Sequence, residues 1–176
     1  RDGNAYTLGT PVSAVATRTE YEPGIAVEDV LPEFAEAFPF EAFNRMQSEA
    51  LPAILDGEES DNVVVSAPTA SGKTALAEAA ICRTLEAGGT ALFLAPLRAL
   101  TNEKESEWER FESLGYSVYV VTGERELTPS RAERADILVM TPEKADSATR
   151  KHDSPRYSFI TDVDCCVIDE VHLLDS

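Results

Sequence analysis

The sequence predicts an α/β fold, a parallel sheet with helices on both faces. Three observations lead there. Short apolar runs rich in β-branched residues recur along the chain, amphipathic stretches of helical length separate them, and glycine or proline turns mark the joints. Strands buried on both faces read as continuous apolar runs, and a parallel neighbour is reached through a crossover that is usually a helix.

Residues 1–38 read as an irregular N-terminal extension. Thr10-Pro11, Pro23-Gly24, Pro32 and Pro39 punctuate it, and residues 27–37 could form a brief helix. Residues 39–176 read as one domain. Phe43, Met46, Ala50, Leu51 and Ile54 recur at helical spacing until Asp56-Gly57. A strand is expected over 62–66, then a glycine turn and a helix over 73–87, which Gly88-Gly89 stops. Strand 91–95, a helix over 100–111, strands 118–121 and 137–140, a short helix from Pro142 and strand 166–168 complete the pattern. Ligands of such sheets bind beyond the carboxyl ends of the strands, where each motif below falls.

The apolar fraction of 43% suits a globular domain, and no apolar run is long enough to span a membrane. The chain opens at Arg1 without a basic-then-apolar leader, so a fragment boundary and a cytoplasmic protein are expected. Cys82, Cys165 and Cys166 form neither a disulfide framework nor a metal pattern; the adjacent pair, on opposite faces of a strand, reads as two small buried hydrophobes. The net charge of −17 is unusual for a protein that grips phosphates. Its carboxylates are dispersed, and only four lysines stand against eleven arginines. That pattern suits strong salt, where charges are screened within about 3 Å at 1 M, and points to a halophilic archaeon.

Ala67-Pro68-Thr69-Ala70-Ser71-Gly72-Lys73-Thr74 lies between a predicted strand and a predicted helix. It follows the phosphate-loop pattern GxxxxGK[ST], with alanine at the first position. Such a loop aims backbone N–H groups at phosphate oxygens, Gly72 allows close approach, and the helix presents its positive end. Lys73 is expected to reach the β and γ phosphates, and the Thr74 hydroxyl to ligate Mg²⁺. Much further on, Asp169-Glu170 ends an apolar strand. Asp169 is then the second metal-side group, and Glu170 orients the attacking water and takes its proton. Lys73 and Asp169 are expected to share one nucleotide-bound cation.

Taken in series, these motifs resemble the DExH branch of superfamily 2 helicases. Ala95–Leu100 is similar to the family's motif Ia, Thr122-Gly123-Glu124 to its Thr-Gly-acid motif, and Thr141–Lys144 to motif Ib. Asp169-Glu170-Val171-His172 supplies the name of the branch, and Phe43–Gln47 is similar to the adenine-reading Q motif. The stretches after Lys144 and His172 look most like the Ski-like group, which includes archaeal repair helicases and meiotic crossover helicases. The resemblance covers about residues 38–176 and implies a first RecA-like domain that uses ATP and Mg²⁺. It further implies that Gln47 meets the adenine edge. Pro96, Arg98, Gly123, Thr141 and Pro142 would line a groove for single-stranded nucleic acid. His172 would couple nucleotide state to that groove. A solvated glutamine and a surface ion pair remain open readings for Gln47 and Arg98.

Ala70 departs from the glycine that many relatives carry in the loop. The chain also stops before the family's Ser-Ala-Thr motif and before the second RecA-like domain, its implied partner in the full-length protein. A small kinase would need a lid and an acceptor pocket, and nothing here resembles either. A non-catalytic adaptor would not be expected to keep Lys73, Thr74, Asp169 and Glu170. The residues leave DNA against RNA open; the Ski-like resemblance favours DNA.

Overall fold

Most of the apolar runs assemble into one parallel sheet. The computed structural model describes residues 24–57, 62–68, 71–96, 102–121 and 127–169. They fall in two units, Arg1–Ala79 and Ala80–Ser176.

In the first unit, Gly24 to Val27 runs antiparallel to Glu41–Phe43, bridging Ala26 to Ala42. The Gly24 and Val27 N–H groups donate to the Phe43 and Glu41 carbonyls at 3.0 and 2.9 Å. Helix α1 (Val27–Val30) and a 3₁₀ turn (Pro32–Ala37) follow, the turn opening on Pro32, whose fixed φ suits a first helical position. Val27, Leu31, Phe34, Phe43 and Leu51 are all at most 1% exposed. Phe43 meets Phe38 and Phe40 edge-on, at centroid distances of 5.6 and 5.4 Å. Helix α2 (Arg45–Leu55) stands where the apolar spacing predicts it.

Helix α3 (Lys73–Glu86) begins in this unit and ends in the next. Gly88 ends it at φ 75°, a left-handed position that suits glycine. The second unit then holds β1 (Thr90–Leu94), α4 (Asn102–Ser113), β2 (Val118–Val121), α5 (Pro129–Ala132), β3 (Ile137–Met140), α6 (Pro142–Thr149), a 3₁₀ turn (Pro155–Asp162) and β4 (Val163–Ile168). The strand order is β2-β3-β1-β4, every pair parallel. Register sets Val121, Met140, Leu94 and Ile168 in one row, so the carboxyl ends share an edge.

All four residues of β3 are fully buried. On one face Leu92, Leu94, Tyr119, Val121, Leu138 and Met140 cluster with Ala132, Ala145, Ala148 and Phe159. The alternate side chain Phe93 takes Trp108 of α4 at 5.2 Å, so the opposite face is covered too. No helix among the described residues is long and apolar enough to cross a membrane.

Two expectations need correcting. Residues 62–66 form no strand, and Val63 and Val64 are 44% and 74% exposed. A strand exists only through its ladder, and the described sheet gives this run no neighbour. The adjacent cysteines are not both buried: Cys165 is half-buried and Cys166 exposed. They do alternate faces, but β4 pairs only with β1 in the described sheet, and Asp164, Cys166 and Ile168 along it are left exposed among the described residues.

Candidate nucleotide site and sheet edge

The phosphate-loop residues are held from the side by the start of α2. Asn44 is the N-cap of that helix: its Oδ1 accepts from the Gln47 N–H at 2.9 Å. Gln47 Oε1 in return accepts from the Asn44 N–H at 2.7 Å, closing a capping box. Each side-chain amide has a donor end left, and each spends one bond on the loop. Asn44 Nδ2 donates to the Ser71 carbonyl at 3.1 Å, and Gln47 Nε2 to the Gly72 carbonyl at 2.9 Å. Gln47 is 4% exposed, with one lone pair and one N–H of its amide used in these bonds. Gly72 sits at φ 88°, and a Cβ there would collide with Gln47 Nε2. Backbone conformation and crowding both demand glycine.

Within the loop, Ser71 Oγ donates to the Pro68 carbonyl at 2.7 Å. The Lys73 ammonium lies along its own loop, donating to the Ala67 and Pro68 carbonyls at 2.8 and 2.9 Å. Thr74, in the first turn of α3, is exposed. Ala67, Pro68, Ser71, Gly72, Lys73, Thr74 and Gln47 thus belong to one neighbourhood. Asn44 is the member that sequence reasoning missed. Its signal was present, since an asparagine three residues before a glutamine at a helix start is the capping-box pattern.

In the second unit, four predicted residues share the carboxyl edge of the sheet. Asp169 follows β4 and donates its N–H to the Leu94 carbonyl at 2.9 Å. Pro96 follows β1, where the Ala95 N–H donates to the Met140 carbonyl at 3.2 Å. Thr141 and Pro142 follow β3 and begin α6. Thr141 is 4% exposed, and its Oγ1 accepts the Lys144 N–H at 3.4 Å as the α6 cap. The Thr141 hydroxyl also holds the Glu143 carboxyl below its ordinary pKa, with a backbone N–H assisting. Thr69, Ala70, Arg98, Gly123, Glu170 and His172 lie outside the described residues.

The DEAD/DEAH box helicase family profile matches residues 44–176. The chain belongs to the DEAD/DEAH box helicase family. This helicase domain is 45% identical over 132 residues to the ATP-dependent DNA helicase Hel308 of Pyrococcus abyssi, covering 74% of this chain and 18% of that protein. It is 37% identical over 166 residues to an ATP-dependent DNA helicase MER3 homolog of Oryza sativa subsp. japonica, covering 85% and 14%. The crystal structure of a hypothetical ATP-dependent RNA helicase from Sulfolobus tokodaii superposes with a TM-score of 0.61 at 29% identity, over 84% of this chain and 42% of that one. The helicase domain therefore spans less than a fifth of the two DNA helicases it matches. The α/β, RecA-like character expected from the sequence holds.

Proposed function

We propose that this chain is the ATP-binding domain of an ATP-dependent DNA helicase of repair or recombination type, which couples ATP hydrolysis to movement along a single strand. Its carrying observation is the loop Ala67–Thr74 of a DEAD/DEAH chain, with Lys73 opening α3 directly after a left-handed Gly72. The names of the Hel308 and MER3 relatives favour DNA. Residues 39–176 form the first RecA-like domain and residues 1–38 an N-terminal extension, in a cytoplasmic protein suited to strong salt by its charge of −17. A second RecA-like domain of the same full-length chain is its partner.

In this reading Ala67–Thr74 receive the phosphates, through the backbone N–H groups of every residue but Pro68, those of Thr69 and Ala70 included. Lys73 exchanges its bonds to the Ala67 and Pro68 carbonyls for charge-assisted bonds to phosphate oxygens. Gln47 reads the adenine edge with the N–H and lone pair that its two bonds leave over. The Thr74 hydroxyl and Asp169 carboxylate are hard oxygen donors of the kind Mg²⁺ takes alongside phosphates. That ion, when bound, offsets charge on the transferring phosphoryl group. Glu170 orients the attacking water and accepts its proton. Pro96, Arg98, Gly123, Thr141 and Pro142 line the single-strand groove, and His172 couples it to the nucleotide.

Binding of a fluorescent ATP analogue by residues 1–176 tests the site. Lys73→Ala should weaken it at least about tenfold, the scale of one charge-assisted contact. Turnover of the same chain should stay very low with single-stranded DNA present, because an arginine finger from a second domain supplies about 10³–10⁵ in rate. Strong DNA-stimulated turnover by this chain alone would refute that need for a second domain, and loss of no affinity in Lys73→Ala would refute the nucleotide site.

A further inference from the structure

We propose that Asn44 is a positioning residue that sets the phosphate loop before nucleotide arrives, an inference that rests on the nucleotide-site reading above. A trans peptide is planar, and its C=O and the following N–H point in opposite directions. Asn44 Nδ2 draws the Ser71 carbonyl toward the start of α2, at 3.1 Å. The Gly72 N–H, in the same peptide plane, must then face the other way. Gln47 Nε2 does the same one residue on: it draws the Gly72 carbonyl at 2.9 Å and turns the Lys73 N–H away from α2.

Two consecutive N–H groups are thereby aimed together, and consecutive N–H groups make an anion nest. Lys73 is the first residue of α3, so its N–H has no acceptor within that helix. The capping box does more than start α2. Each of its amides holds the helix with its oxygen and the loop with its nitrogen. Because each side-chain oxygen accepts the other residue's backbone N–H across the box, neither nitrogen can swing off the loop without breaking the α2 cap. The clamp grips the loop backbone, so its effect falls on the phosphates and is indifferent to the base.

The test separates capping from clamping. Asn44→Ser keeps a good N-cap acceptor and stays neutral, while removing the amide donor that reaches Ser71. Titration calorimetry on the full chain uses inorganic tripolyphosphate, ADP and GDP, with urea unfolding beside it. The variant should bind all three about tenfold more weakly, one charge-assisted bond's worth, while its unfolding midpoint moves little. Should serine lower stability, Asn44→Asp repeats the comparison with an equally strong cap. Its added charge is told apart by repeating the titrations at 1 M KCl, since a charge effect shrinks with salt and a lost donor does not. Wild-type affinity in both variants, or a loss confined to ADP, overturns the clamp. Wild-type protein that binds none of the three probes, or binds them equally with Lys73→Ala, instead sinks the nucleotide site and the clamp with it.

Discussion

Replacing Gly72 by alanine measures how tightly the loop is built. At φ 88° an alanine occupies the left-handed region, at a cost of about 1–2 kcal/mol. Its Cβ would also collide with Gln47 Nε2 and lie 3.4 Å from Gln47 Cδ, so the glutamine must withdraw. Withdrawal breaks the 2.9 Å bond to the Gly72 carbonyl, worth about 1 kcal/mol. The sum is about 2–3 kcal/mol. Gly88 and Gly115 provide internal controls: their φ values are 75° and 96°, yet a Cβ at either meets nothing within 4 Å. Gly88→Ala and Gly115→Ala should therefore cost only the backbone share, about 1–2 kcal/mol. Urea unfolding at unchanged m reads each difference directly. A cost for Gly72→Ala no greater than that of the two controls would show that the crowding by Gln47 has no energetic weight.

Two further outcomes can be checked. Phe43→Ala removes a ring with 0% exposure, flanked edge-on by Phe38 and Phe40, and should cost about 3–5 kcal/mol in the same assay; a cost below about 1 kcal/mol would contradict that packing. Thr141→Val removes the hydroxyl that, ahead of the backbone N–H, holds the Glu143 pKa down, so a carbon-detected titration should show that pKa rising toward the ordinary glutamate value. The sign follows: a depressed folded pKa favours folding above the unfolded pKa, and that contribution disappears as pH falls through the folded value. The valine variant should lose part of this acid sensitivity.

The parallel sheet was legible because its evidence is local. Ile137–Met140 is apolar throughout, as a strand buried on both faces must be, and it lies at the centre of the sheet. Residues 62–66 carry the same apolar signature, yet strand identity depends on a partner, which composition does not contain. Cys166 misled for the same reason: alternation along β4 is a local property, while exposure depends on what covers a face. At the loop, Lys73 and Gly72 announced themselves by pattern. Asn44 announced only its cap on α2, since its Nδ2 bonds to a carbonyl 27 positions away.

The β1–β4 pairing has a consequence for how the chain is made. The Thr90 N–H bonds to the Asp164 carboxylate across 74 positions. At a translation speed of about 5–20 residues per second, β1 is synthesised roughly 4–15 s before β4. Its other neighbour, β3, comes earlier and can shield one flank. The remaining flank of an apolar strand stays open during synthesis, so the nascent chain is most vulnerable to aberrant pairing before Asp164 emerges.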